Sequence, residues 1–85
     1  MGEQVVGKVT DYFGKIGVAG IEVTAGSLSV GDTIRIKGHT TDVTQAVESI
    51  QLEHLEVPRA DTGQTVGIRV KDRVRKGDSV FKVIP

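Results

Sequence analysis

The sequence contains no cysteine, and this absence removes several kinds of site at once. A chain without thiols forms no disulfide, no cysteine-ligated zinc site, no iron–sulfur cluster and no thiol nucleophile. A small extracellular protein stabilised by disulfide bridges is therefore excluded.

The chain also lacks an excess of either charge, because eleven lysine and arginine residues balance eleven aspartate and glutamate residues. Its overall field does not attract nucleic acid as a basic domain would, so any contact with a polyanion has to be local. No segment approaches the roughly 20 apolar residues that span a bilayer, and the first residues lack the pattern of a signal peptide. We expect a cytoplasmic protein without membrane contact.

The composition favours a folded chain over a disordered one, with 38% hydrophobic and 26% charged residues. A length of 85 residues is enough for one compact core. We therefore expect a single domain over residues 1–85, and a monomer.

Alternation of apolar and polar residues dominates the sequence and predicts β-strands. The expected strands lie near residues 4 to 12, 16 to 24, 32 to 38, 43 to 52, 64 to 71 and 79 to 84. Val47 and Ile50 lie three apart, and the preferred interpretation is a β-bulge near Glu48 and Ser49 that turns both apolar residues inward. A short helix is the alternative there. Without a helix to cover the sheet, the strands have to curl on themselves. The predicted fold is all-β, a six-stranded closed antiparallel Greek-key β-barrel.

A glycine–aspartate turn occurs twice, in LSVGDTIRIKG and in VRKGDSVFKV. In each copy the glycine tolerates a positive φ and the aspartate can accept a hydrogen bond from nearby backbone. Two equivalent corners of a pseudo-symmetric barrel would explain the repeat. The alternative is that this pair of residues is simply common in turns.

Five segments in order carry a family resemblance: the hairpin GKVTDYFGKIGVAGIEV, then GSLSVGDTI, VESI, ADTGQTVGI and VRKGDSV. Together they resemble the second domain of translational GTPases such as elongation factor Tu, and the match covers nearly the whole chain. The sequence is also similar to small stand-alone proteins of this superfamily and to the C-terminal barrel of U32 peptidase-like proteins. The resemblance implies a translation-factor-like barrel.

No phosphate-binding GxxxxGK[ST] loop is present, so we expect no GTP hydrolysis. The family resemblance implies a non-catalytic module that binds RNA or a ribonucleoprotein such as the ribosome. In elongation factor Tu this domain holds the aminoacylated end of transfer RNA, and Arg59 is the basic residue that best matches that pocket. The alternative is an accessory, protein-interaction module for a larger enzyme such as a U32 peptidase-like protein.

Two stretches supply candidate binding residues. Basic side chains recur at every second position from residue 69, and in an extended chain they would form one stripe: Arg69, Lys71, Arg73 and Arg75, with Lys76 beside them. The stretch at residues 38–45 is rich in hydroxyl and amide groups and adds His39, Thr40 and Thr41. The alternative interpretations are a solvated strand face that resists edge pairing and an ordinary polar connection.

Tyr12 and Phe13 could stack an unpaired base, although core packing is the preferred interpretation for both. The two histidines, His39 and His54, have too few neighbouring ligands for a metal site, and no nucleophile-elbow motif is present. We expect no enzymatic activity, no metal and no cofactor.

Overall fold

The computed structural model describes residues 2–84, and about 61% of them lie in β-strands. No helix occurs within this range, so the all-β prediction is confirmed. The ten strands are β1 (Gly2–Phe13), β2 (Val18–Val23), β3 (Ser27–Ser29), β4 (Thr33–Lys37), β5 (Asp42–Ala46), β6 (Ile50–Leu52), β7 (Leu55–Val57), β8 (Arg59–Asp61), β9 (Thr65–Arg69) and β10 (Ser79–Ile84).

Eight strands form one antiparallel sheet in the order β5-β4-β10-β1-β2-β9-β6-β7, while β3 and β8 form a separate pair. The sheet has eight strands instead of the predicted six, and its edge strands β5 and β7 are not paired with each other. A six-stranded closed barrel is therefore not confirmed. The edge strand β5 is bridged to the end of β9 by one side chain: Gln45 donates to the Arg69 carbonyl (2.8 Å) and accepts from the Lys71 amide (2.9 Å).

The predicted strand at residues 43 to 52 is two strands that serve different neighbours. β5 pairs with β4, β6 pairs with β9 and β7, and residues 47–49 between them belong to no strand. Val47 and Ile50 are both buried, as predicted, but a break in the strand rather than a bulge turns them inward. The short strands β3, β7 and β8 were not predicted, because three residues give too little alternation to detect.

Within the described range, 2–84, the core consists of seventeen buried apolar residues, and all but three of them are valine or isoleucine. They come from alternate positions of the main strands, for example Ala19, Ile21 and Val23 in β2 and Val66 and Ile68 in β9. Such alternation buries one face of each strand and leaves the other face free. Branched aliphatic side chains therefore fill the interior, and the outer faces remain available for binding.

Three turns share one hydrogen-bonding pattern, at residues 29–32, 61–64 and 75–78. Their third residues, Gly31, Gly63 and Gly77, have φ values of 100°, 94° and 94°, the positive φ that a type II turn requires. In each turn the backbone amide of the fourth residue donates to the carbonyl of the first, at 3.0 to 3.1 Å. The side chain of the fourth residue then accepts from the amide of the first, at 2.8 Å in all three.

Each of these turns is also fixed to one buried valine. The turn glycine donates to the valine carbonyl, and the valine amide donates to the carbonyl of the fourth residue, all at 2.7 to 2.9 Å. The valines are Val47 for the first turn, Val23 for the second and Val9 for the third. The predicted pair of equivalent corners is thus present, and the turn at 61–64 is a third copy in which Gln64 takes the place of aspartate.

Candidate binding surfaces

The predicted basic stripe begins on β9 but leaves the sheet almost at once. β9 ends at Arg69, and residues 70–78 form no strand. Val70 and Val74 are buried but Asp72 between them is exposed. A straight extended strand would turn all three side chains to the same face. The basic stripe was predicted on the condition that the chain stays extended, and this condition is not met beyond Arg69 because the chain bends at Lys71 and Asp72.

All five predicted cations of this stretch are nevertheless exposed: Arg69, Lys71, Arg73, Arg75 and Lys76. We call this set the basic loop. Within residues 2–84, no carboxylate lies within 4.0 Å of any of these five charged groups. The four cations that do pair lie elsewhere: Lys8 with Glu22, Arg35 with Glu3 and Asp42, Arg59 with Asp61, and Lys82 with Asp32. The basic loop is thus a local excess of positive charge on a neutral chain.

Two polar side chains hold the basic loop in place. Asp78 is buried, with 6% of its surface exposed, and its carboxylate accepts from the Arg75 amide instead of neutralising a basic side chain. Gln45 fixes the other end through the backbone of Arg69 and Lys71. The Asp78 carboxylate thus caps the 75–78 turn.

The polar stretch at residues 38–45 is a short connection followed by strand β5. The Gly38 amide donates to the Thr41 carbonyl at 2.8 Å, which closes the β4–β5 hairpin. Thr41 is buried, so a ligand could reach only His39 and Thr40 of the predicted trio. The long polar loop expected from the sequence is therefore a four-residue turn.

Arg59 lies on β8, exposed, and its guanidinium binds Asp61 of the same strand at 2.8 Å. The structure does not bring it into the basic loop. Asp61 also belongs to the second of the three equivalent turns. Arg59 is thus the one predicted cation that already has a carboxylate partner.

A second charged group lies on the outer face of β4. Arg35 binds Asp42 through two hydrogen bonds of 2.8 Å and Glu3 at 3.2 Å. The hydrogen bonds from Arg35 lower the pKa of the Asp42 carboxyl below its usual value. The same bonds raise the pKa of Arg35, which keeps the guanidinium charged. This cluster ties β1, β4 and β5 together, and its two carboxylates occupy the Arg35 guanidinium.

The outer face of β2, β9 and β6 carries a groove that the sequence interpretation missed. Val18, Gln51 and Gly67 form its floor, and Phe13 stands at one end with 51% of its surface exposed. The preferred interpretation of Phe13 as a core residue is therefore wrong, whereas Tyr12 does pack against the core. The available signal was the glycine at position 67, which an alternating strand does not need unless its outer face must stay flat.

Among residues 2–84, no group of three or more histidine, aspartate or glutamate side chains is arranged to hold a metal ion. In the same part of the chain, no helix is long and apolar enough to cross a membrane.

Comparison with known proteins identifies the architecture. No family model matches the chain. Its fold superposes on the crystal structure of the C-terminal domain of a Geobacillus thermoleovorans protein assigned to the U32 peptidases, with a TM-score of 0.88 over 95% of this chain and 93% of that one, at 24% identity. This chain has the fold of a U32 peptidase C-terminal domain.

Similarity in sequence points the same way. The chain is 44% identical over 78 residues to a collagenase of Porphyromonas gingivalis, covering 91% of this chain and 22% of the collagenase. It is 37% identical over 60 residues to elongation factor 1-alpha of Natronomonas pharaonis, covering 66% of this chain and 14% of the factor. Both relationships expected from the motifs are thus confirmed. The chain spans about a fifth of the length of the collagenase that it matches.

Proposed function

We propose that this domain is a non-catalytic accessory module that docks onto a larger protein of the U32 peptidase kind. The observation that carries the proposal is the extent of the similarity: it covers nearly all of this chain but only 22% of the collagenase relative. A chain that corresponds over most of its length to one segment of a larger protein fits a module that works beside the rest of such a protein.

The basic loop is the surface that we assign to docking. Five exposed cations without carboxylate partners contribute little to the stability of the free domain, and an acidic partner surface would gain direct ion pairs from them. The buried valines and the two polar anchors of the loop hold these cations in one arrangement. We retain the closed barrel as part of this proposal, because the Gln45 bridge between β5 and the end of β9 supports it.

Affinity capture from an extract of the source cells, with and without ribonuclease, tests the proposal. We expect a protein with a U32-type body, retained after ribonuclease treatment and lost in the double variant Arg73→Glu, Arg75→Glu. The matched control is Lys15→Glu, Lys37→Glu, because both lysines are exposed, lie outside the basic loop and have no carboxylate within 4.0 Å among residues 2–84. Capture of no U32-type protein, or equal losses in the two double variants, would contradict the proposal.

RNA binding is the second candidate, favoured by the same unpaired cations and by the more distant likeness to elongation factor 1-alpha. It predicts binding that weakens steeply with salt, and a slope of log affinity against log salt that falls by about one for each phosphate contact removed. Capture that disappears with ribonuclease would favour this candidate over the accessory module.

A further inference from the structure

The groove on the outer face of β2, β9 and β6 consists of two adjoining cavities of about 280 and 350 Å³. They share Val18, Gln51 and Gly67, so together they form one channel along β9 from Thr65 to Arg69. Four residues of extended strand span about 13 Å. The channel therefore has the length of four or five residues of an extended peptide.

Gly67 keeps the middle of this channel open. Its φ is not positive, so the backbone at this position does not require glycine. A Cβ added there would meet the Val18 side chain at 3.2 Å, which is tight but lies against the end of a side chain. The absence of a side chain at position 67 thus keeps the channel continuous. The backbone conformation alone does not require glycine there.

One end of the channel is apolar and exposed. Phe13 is the last residue of β1 and Ile16 lies in the β1–β2 turn. Their side chains are 51% and 63% exposed, and both line the same cavity. Exposed aromatic and branched side chains beside a concave surface are typical of binding sites, since each would gain by burial against a partner.

The channel also carries negative charge. Glu53 lines the apolar cavity, Glu48 and Glu56 line the other, and none of the three has a basic partner within 4.0 Å in residues 2–84. Arg69 is the one arginine or lysine that lines either cavity. Three carboxylates against one guanidinium leave the channel with a net negative charge that a basic ligand would complement.

The β6–β7 turn beside the channel also indicates that the channel binds a ligand. Glu53 and His54 join β6 to β7 with φ values of 52° and 67°, a conformation for which glycine and asparagine are preferred. Both residues line the apolar cavity. Side chains kept at an unfavourable backbone geometry, where they face a channel, indicate a role in binding.

We propose that this channel binds an extended peptide segment that carries one bulky apolar side chain and, about four residues away, a lysine or arginine. The apolar side chain packs on Phe13, Ile16 and Val18, and the cation pairs with Glu48 and Glu56. The proposal stands apart from the docking role of the basic loop, because it uses the opposite charge and, apart from Arg69, different residues.

A phage-displayed library of random nonapeptides, selected on the immobilised domain, provides the probe. We expect enriched sequences that combine an aromatic or branched aliphatic residue with a basic residue three to five positions away. Titration of one enriched peptide, followed by fluorescence anisotropy, should show at least tenfold weaker binding in Phe13→Ser, Ile16→Ser and in Glu48→Lys, Glu56→Lys.

Matched controls use exposed residues that do not line the channel. Val5→Ser removes an apolar side chain that is 49% exposed, and Asp11→Lys reverses an exposed carboxylate. Neither should change affinity more than twofold, and all variants should keep the circular dichroism spectrum of the parent. Gly67→Ala narrows the channel without changing its charge. Weaker peptide binding by this variant would show independently that the peptide passes position 67.

Several outcomes would overturn the proposal: no enrichment, enrichment of acidic peptides, or equal losses in channel and control variants. Self-association of the domain that is abolished by Phe13→Ser would show instead that a second copy covers the channel. The double variant Arg73→Glu, Arg75→Glu should bind the peptide normally. Failure of the peptide experiment therefore leaves the accessory-module proposal intact. Failure of the affinity capture likewise leaves the peptide-binding proposal intact.

Discussion

The turns at residues 29–32 and 75–78 have the same backbone but present different groups to solvent. Both have a glycine at positive φ, a carboxylate that accepts from the first amide, and two hydrogen bonds to a buried valine. The first turn presents Val30 and pairs its aspartate, Asp32, with Lys82 at 3.3 Å. The second presents Arg75 and Lys76, and its aspartate is buried.

The difference shows how one structural device serves two purposes. In the first turn the aspartate both closes the turn and forms a surface ion pair, so its carboxylate contributes to the folded structure. In the second turn the carboxylate points inward, and the cations beside it lack carboxylate partners. The fixed backbone therefore allows the 75–78 turn to display charge without losing its shape.

Gly38→Ala should produce the largest effect, because an added Cβ would overlap the carboxylate of Asp78. We expect a loss of about 2–3 kcal/mol in the free energy of unfolding, the usual cost of overpacking a buried site. Urea unfolding followed by circular dichroism measures it, with Gly2→Ala as the control because no atom lies within 4 Å of that position. In an Asp78→Ala background the cost should largely disappear; an unchanged cost would show that the overlap is not its cause.

Removal of the two aspartates should separate the turns. Asp78→Ala removes a carboxylate that is only 6% exposed and leaves the Arg75 amide without its acceptor, which should cost about 2 kcal/mol. Asp32→Ala removes a side chain that is 23% exposed and should cost about 1 kcal/mol. Asparagine at either position keeps the accepting oxygen and should restore most of the loss. Equal costs at the two positions in urea unfolding would contradict the assigned difference in burial.

Lowering the pH should remove the stabilisation that comes from the Arg35–Asp42 pair, and we expect no such effect from the basic loop. The pKa of Asp42 is lowered in the folded state by Arg35, so this pair stabilises the fold above the ordinary carboxyl pKa and loses that contribution as the pH falls through the lowered value. Arg35→Gln should flatten the dependence of the urea midpoint on pH below about 4, the range set by the ordinary aspartate pKa. Arg73→Gln, in the basic loop, should leave the dependence as it is.

The smallest effect is expected at the third copy of the turn. Gln64→Asp places there the residue that the other two turns use, and its carboxylate can accept from the Asp61 amide as the Gln64 amide oxygen does. We expect a change within about 0.5 kcal/mol, against a loss of about 1 kcal/mol for Gln64→Ala. A large loss with aspartate would mean that the three turns are less alike than their hydrogen bonds indicate.

The sequence predicted those features that alternation and turn chemistry encode. The all-β class, the burial of Val47 and Ile50, and the two glycine–aspartate turns follow from local patterns and are present. A turn ending near Gly63 was expected, but it was not recognised as a third copy because glutamine replaces aspartate there. The glutamine side chain, longer by one methylene, reaches the equivalent amide.

The binding surfaces were harder to predict because they depend on contacts between distant segments. Basic residues alternate regularly in sequence from Arg69 to Arg75, yet strand β9 ends at Arg69 and the chain bends at Lys71 and Asp72. Thr41 looked accessible but is buried by the hairpin that it closes. The channel needs β2, β9 and β6 side by side, and that order is set by pairing across the whole chain.

The attachment of each turn to a remote valine has a consequence for how the domain forms. Gly77 and Asp78 exchange hydrogen bonds with Val9, which lies at the other end of the sequence, so that corner stays incomplete until nearly all of the polypeptide has assembled. Topologies that depend on such long-range pairings refold slowly, in milliseconds to seconds, and nearly all-or-none. Stopped-flow refolding should therefore show one slow phase. Amide-exchange labelling during refolding should show that the amides of all three turns become protected together in that phase.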